Sequence, residues 1–139
     1  MSAKKSRPKA NFLNVDLEIE SMRKLDSLAA EMGERVLVVH RGLGARSKSH
    51  LLCVEINGSF WKSNPDRIIH AFCDLIRTLS PAGRKIWNAA KKEFNVGFEL
   101  LADERCSEFS LRADTLQRIV ETGAGLAVTY YNRGVIEQI

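Results

Sequence analysis

The stretch Leu13-Asn14-Val15-Asp16-Leu17-Glu18-Ile19-Glu20 decides the fold, because aliphatic and polar side chains alternate along it without interruption. In a strand, successive side chains point to opposite faces of the sheet. The pattern therefore predicts a half-buried strand, with its aliphatic side chains in the core and its carboxylates in solvent. Such a strand is typical of a sheet that has one covered face and one solvated face.

Two strand–helix–strand units resemble one another along the chain. The first runs over residues 15–39 and the second over residues 96–129, and a glycine ends the helix in each, at Gly33 and at Gly123. Ser21 is the predicted N-cap of the helix in the first unit. Two related units around a central segment predict one domain with internal pseudosymmetry.

The elements between these strands are read from local signals. The apolar run Val36–Val39 predicts a central strand covered on both faces, or one well inside the sheet. A glycine-rich hairpin connects it to a strand over residues 51–57. Helix starts are indicated by Ser63-Asn64-Pro65-Asp66 and by Ser80-Pro81, where a polar cap precedes an early proline, and the second of these helices is predicted to end near Glu93. The order predicts an α+β two-layer sandwich, with a mixed or antiparallel sheet of five or six strands and helices on one face.

The composition bounds the class of protein. The chain has 139 residues, of which 45% are hydrophobic and 27% charged, and a formal net charge of +4. These values are typical of a single globular domain. No apolar run approaches a membrane span and no signal peptide is apparent, so we expect a cytoplasmic protein. Residues 1–10 form a predicted disordered basic tail on a nearly neutral domain, residues 11–139; the basic residues of the tail are Lys4, Lys5, Arg7 and Lys9.

Four carboxylates are the main candidate binding residues: Asp16, Glu18, Glu55 and Glu99. If their strands are neighbours, all four share the solvated face. Such a face can bind a hard cation or a basic protein surface. It can also be an ordinary solvated face, with exposed ion pairs of little energetic consequence. A catalytic carboxylate pair is disfavoured, because general acid–base chemistry needs a concave, partly desolvated site.

The loop residues Phe60 and Trp61 form a second candidate binding element. Tryptophan is enriched among the residues that anchor protein interfaces. The alternative is that these aromatic rings fold over the end of the following helix and cover the core.

Metal, cofactor and nucleophile signatures are missing from the sequence. The spacings His50-x-x-Cys53 and His70-x-x-Cys73 provide only two ligands each, and a strand directs the first pair to opposite faces. We interpret Cys53 and Cys73 as small core residues. No catalytic residue, cofactor or metal is predicted, although an enzyme with a dispersed site remains an alternative.

A nucleic-acid accessory protein is a further alternative. It would use the basic tail and a basic hairpin loop, whose cationic residues are Arg41, Arg46 and Lys48. The outward strand positions carry acids rather than the aromatic rings on which bases stack, so this function is disfavoured.

Three segments resemble a set of small bacterial proteins of unknown function. They are Asn11–Ile19, Trp87-Asn88-x-Ala90 leading into Phe94–Glu99, and the closing stretch Leu116–Tyr131. The resemblance implies a compact α+β domain in the bacterial cytosol. Some such domains look like immunity proteins, which neutralise a toxin by binding it. The expected function is a noncatalytic protein-binding module, immunity-like or regulatory, whose partner is another protein or a second copy, without membrane attachment.

Overall fold

Five strands and four α-helices are found in the described residues, 11–44, 48–58, 64–100 and 108–132, of this computed structural model. In chain order they are β1 (Asn11–Ser21), α1 (Asp26–Met32), β2 (Val36–Leu43), β3 (His50–Ile56), α2 (Pro65–Arg77), α3 (Pro81–Ala89), β4 (Lys91–Leu100), α4 (Ala113–Thr122) and β5 (Gly125–Asn132). The strand order is β2-β3-β1-β4-β5, with one parallel pair, β4 and β5. The predicted α+β sandwich with a mixed sheet is confirmed.

Strand β1 lies at the centre of the sheet and is antiparallel to both β3 and β4. Its residues Val15, Leu17 and Ile19 are at most 2% exposed. They pack with the apolar faces of the helices in one core cluster, which includes Phe72 of α2 and Trp87 of α3. The alternating pattern of β1 therefore predicted its burial correctly.

Strand β2 differs from the prediction, because it is an edge strand and not a central one. Its only described neighbour is β3. Val36 is buried, but Leu37, Val38 and Val39 are 46–53% exposed. The hairpin places β3 between β2 and the central strand, and this leaves the apolar run of β2 at the margin of the sheet.

The two strand–helix–strand units share their order but not their pairing. In the second unit β4 and β5 are adjacent and parallel. In the first unit β3 separates β1 from β2 and is antiparallel to both. The two units are therefore similar in the order of their elements but not in the pairing of their strands.

The helix starts of α2 and α3 follow the predicted caps. The Asn64 side-chain oxygen accepts a hydrogen bond from the Arg67 amide at 3.2 Å, and the Ser80 hydroxyl oxygen accepts one from the Gly83 amide at 3.0 Å. Each bond satisfies an amide that the first helical turn leaves free. The longest helix, α2, has 13 residues. No helix in the described part of the chain is long and apolar enough to cross a membrane.

Candidate functional site

The open face is the side of β1, β3 and β4 that points away from the helices. The strand registers assign to it every second residue of these strands. Its acidic residues outnumber its basic ones by six to one. The open face comprises Asn14, Asp16, Glu18, Glu20, Leu51, Cys53, Glu55, Lys91, Glu93, Asn95, Gly97 and Glu99.

Two carboxyl groups face each other directly on this surface. Asp16 of β1 lies opposite Glu55 of β3 in the antiparallel register. A single nitrogen joins them, because Asn14 Nδ2 donates to Asp16 Oδ1 and to Glu55 Oε1, both at 3.1 Å. Two carboxylates at one place resist simultaneous ionisation. The pair is therefore set up to hold a proton at a pH where separate carboxyl groups have lost theirs.

The environment of Asp16 explains the strength of this effect. The pKa of Asp16 is raised to about 7, from an ordinary value of 3.8. Burial is the largest cause, and the hydrogen bond with Glu55 and the negative charges of Glu55 and Glu18 contribute in the same direction. Since the two carboxyl groups interact strongly, the proton belongs to the pair rather than to one residue. The charge of the open face therefore changes near neutral pH.

Cys53 lies on the open face, opposite Glu18, and not in the main core as we predicted. Its side chain is nevertheless buried. Burial, as the largest cause, and the negative charges of Asp16, Glu18 and Glu55 together raise the pKa of the Cys53 thiol to about 12. The thiol stays protonated at physiological pH, which argues against a role as nucleophile or metal ligand. The second described cysteine, Cys73, is in the core as predicted.

A shallow depression continues the acidic surface towards one end of the sheet. It has a volume of about 150 Å³ and is lined by Glu18, Glu20, Leu51, Lys91 and Glu93. Glu18 faces Glu93, and Glu20 faces Lys91. The sequence interpretation missed Glu93 because it continued the preceding helix to that residue. The alternation of β4, extended back by one pair of residues, would have placed Glu93 on the open face.

Glu99 shares the open face but is separate from the other predicted carboxylates. It lies opposite Asn11, whereas Asp16 lies opposite Asn95. Four residues along a strand correspond to about 13 Å. Between them, Gly97 leaves room for a side chain of β1, since a Cβ there would meet Asn14 Oδ1 at 2.5 Å. The structure therefore brings together Asp16, Glu18 and Glu55, and it adds Glu20 and Glu93.

The other candidate residues form no site in the described part of the chain. Phe60 and Trp61 lie outside the described residues, as do Lys4, Lys5, Arg7, Lys9 and Arg46. Arg41, near the end of β2, forms an exposed ion pair with Asp26 at 3.8 Å. Lys48 is exposed in the turn, at a φ of 89°. The nucleic-acid alternative and the Trp61 anchor stay predictions.

A second polar cluster joins α2 to α4. Thr115 is fully buried and donates to Asp66 Oδ1 at 2.7 Å, so its oxygen is left to accept from His70 Nε2 at 3.0 Å. Arg118 lies 2.8 Å from His70 Nδ1 and donates to Asp74 at 2.7 Å. These side chains satisfy one another, which is typical of a structural network between packed helices.

Metal binding finds no support in this arrangement. His70 is engaged in the helix network, and Cys73 is buried in the core. Within residues 11–44, 48–58, 64–100 and 108–132, no group of three or more His, Cys, Asp or Glu side chains is placed to hold a metal ion.

Comparisons with protein-family models, with curated proteins and with solved structures give no match to this chain. The resemblance to small bacterial proteins therefore stays a prediction. The inference of function depends on the geometry of the open face.

Proposed function

We propose that this protein is a noncatalytic binding domain that docks the basic surface of a partner protein on the open face. The observation that supports the proposal is the concentration of carboxylates on one face of the central strands. Asp16 and Glu55 lie side by side, and Glu18 and Glu93 form the next facing pair towards the end of the sheet. A negatively charged surface attracts a positively charged partner and orients it.

The dimensions of the face favour a protein over a small ion. Neighbouring strands are about 4.8 Å apart and alternate residues on a strand are about 7 Å apart, so the carboxylates form a grid. Several lysine or arginine side chains of one surface match such a grid. A metal ion requires converging ligands instead, and a nucleic-acid backbone would be repelled by the negative charge.

The energetics of the free face also favour a cationic partner. Like charges held on adjacent strands destabilise the sheet, since directly opposed like charges repel. A cation placed between Glu18 and Glu93 removes that repulsion and gains attraction from both. Salt screens this attraction, so the affinity should fall with ionic strength.

The concrete form of the proposal is an immunity-like or regulatory protein of the bacterial cytosol that neutralises a basic toxin, such as a nuclease. This form extends the resemblance described above. It requires no cofactor, because the inhibitor acts by occupying the basic surface with which the toxin binds its own substrate.

A matched pair of charge reversals tests the proposal. The open-face variant combines Glu18→Lys with Glu93→Lys and leaves the Asp16–Glu55 pair intact. The control variant combines Glu34→Lys with Glu121→Lys, two exposed acids in the helical layer. Both variants have the same net charge, and circular dichroism confirms that each is folded.

The measurement is capture of partners from extracts of the source cells by the full chain. We expect a basic protein that is retained by the parent and by the control, is lost from the open-face variant, and is released when salt rises from about 50 mM to about 500 mM. A partner that binds the open-face variant as well as it binds the parent would refute docking on this face.

A further inference from the structure

We propose that the Asp16–Glu55 pair holds one shared proton while the open face is free and releases it when a cationic group of the partner docks beside the pair. Binding would then be coupled to pH. This inference depends on the function proposed above and adds a regulatory property to the same site.

The geometry of the pair provides the first step. Asp16 and Glu55 are directly opposed, and one Asn14 amide nitrogen donates to an oxygen of each. If one of the two carboxyl groups keeps its proton, its O–H donates a hydrogen bond to the other, ionised group. If both groups are ionised, two negatively charged oxygens face each other without a proton between them. One proton per pair is therefore the arrangement that the hydrogen bonds favour.

The surroundings of the pair provide the second step, because no lysine or arginine faces it on the described strands. The one basic side chain in the adjoining row of these strands is His40 of β2, which lies opposite Cys53. The only lysine assigned to the open face, Lys91, lies opposite Glu20, two facing pairs away from Asp16. The residues that surround the pair on these strands are Asn14 and Glu18 on β1, Cys53 on β3, Asn95 and Glu93 on β4, and Leu37 and His40 on β2.

The proton balance of docking follows from these two steps. In the free protein the pair carries one negative charge and one O–H bond. When an ammonium or guanidinium group approaches, that O–H bond breaks, the proton passes to a buffer base, and the pair carries two negative charges. Burial and the neighbouring carboxyl groups together raise the pKa of Asp16 to about 7, which places this change in the neutral range. If the bound cation returns the pKa to about 4, the affinity rises about tenfold between pH 6 and pH 8 and then levels off.

Two measurements test the inference with a defined probe, a synthetic peptide of alternating lysine and glycine. The first is isothermal titration calorimetry at pH 6, 7 and 8, in buffers that differ in ionisation enthalpy. We expect the tenfold rise in affinity, and release of about half a proton at pH 7. Asp16→Asn should abolish both effects, because its amide needs no shared proton. Glu55→Gln should weaken both effects, because it removes the hydrogen bond and the charge of Glu55 but leaves Asp16 buried, and it provides a second variant if the first is poorly folded.

The second measurement needs no ligand. Carbon-13 NMR of the side-chain carboxyl groups of the free protein should show Asp16 titrating near pH 7. A midpoint near pH 4 would overturn the inference.

The outcomes separate the two proposals. If the peptide binds the parent in a salt-dependent manner and fails to bind Glu18→Lys/Glu93→Lys, but its affinity is the same at pH 6 and pH 8, the shared proton is refuted and docking on the open face stands. If the peptide binds at no pH, or binds the open-face variant as tightly as the parent, docking on this face is refuted and the inference falls with it.

Discussion

The Asp16–Glu55 pair should make the stability of the protein depend on pH in the direction opposite to that of most acidic groups. The folded protein holds the proton of the pair up to a pKa of about 7, whereas an unfolded aspartate loses it near 3.8. The unfolded state therefore binds fewer protons between these values, and the free energy of unfolding falls as pH rises from about 4 to about 7. The stabilisation is complete below about pH 4 and absent above about pH 7.

The magnitude follows from the size of the shift. A shift from 3.8 to about 7 corresponds to about 4 kcal/mol, at 1.36 kcal/mol per unit. Both carboxyl groups are half-buried rather than fully buried, and the remaining solvent screens their interaction, so we expect about 2 kcal/mol.

The substitution Asp16→Asn isolates this contribution. The amide has nearly the shape of the protonated acid and can donate to Glu55, but it does not titrate. At pH 8 the variant should be about 2 kcal/mol more stable than the parent, while at about pH 3.5, below the pKa of the unfolded aspartate, the two should agree within about 0.5 kcal/mol. Urea unfolding, followed by the fluorescence of the buried Trp87, measures both free energies.

The control for this prediction is Glu34→Gln, which removes one exposed carboxylate outside the sheet. Its difference from the parent should stay constant over the same pH range. A difference between Asp16→Asn and the parent that does not grow from about pH 3.5 to pH 8, or that makes the variant less stable at pH 8, would refute the reasoning.

Two other substitutions test the surroundings of the pair and the core. Gly97→Ala should displace the Asn14 side chain, since the new Cβ would meet Asn14 Oδ1 at 2.5 Å. Loss of the hydrogen bonds that Asn14 donates should raise the pKa of Asp16, measured by carboxyl NMR. An unchanged titration midpoint would mean that Asn14 does not influence the pair. Trp87→Phe removes a buried ring and the bond from its indole N–H to the Thr122 carbonyl at 2.9 Å. Urea unfolding should show a loss of about 2 kcal/mol, against little change for the exposed Tyr131→Phe.

The parts of the fold that the sequence predicted are those with a local physical signal. The alternation of β1 and the caps at Asn64 and Ser80 each depend on the chemistry of a few neighbouring residues, and the structure confirms them. The predicted start of α1 at Ser21 was wrong, because Ser21 continues β1 opposite His50 and the helix begins only at Asp26. That extension is set by a partner strand distant in the sequence.

The predicted position of β2 inside the sheet was also wrong, because strand position likewise depends on residues distant in the sequence. An apolar run shows that a strand is hydrophobic, but it does not show how many neighbours the strand has. In this sheet β3 takes the place beside β1, so Leu37, Val38 and Val39 are exposed at the edge.

The candidate site was predictable in part. Strand alternation placed Asp16, Glu18 and Glu55 on one face, and the register confirms that they are neighbours. Cys53 is buried, as predicted, but it lies on the open face rather than in the core cluster, because the run Leu51-Leu52-Cys53-Val54 hides its alternation. The facing of Asp16 and Glu55, which determines the proton chemistry, depends on register and has no signal in either strand alone.

The central place of β1 has a consequence for how the protein is made. β1 precedes every other described strand in the chain, yet both of its partners are remote: Asp16 pairs with Glu55, and Val15 pairs with Val96. During synthesis one edge of β1 therefore stays unpaired until β4 has left the ribosome. Closing such distant contacts is slow compared with forming local ones. A nascent chain that ends before β4 would expose one edge of the middle strand, whose unpaired backbone groups can pair with another chain. We therefore expect chaperones to bind such a chain.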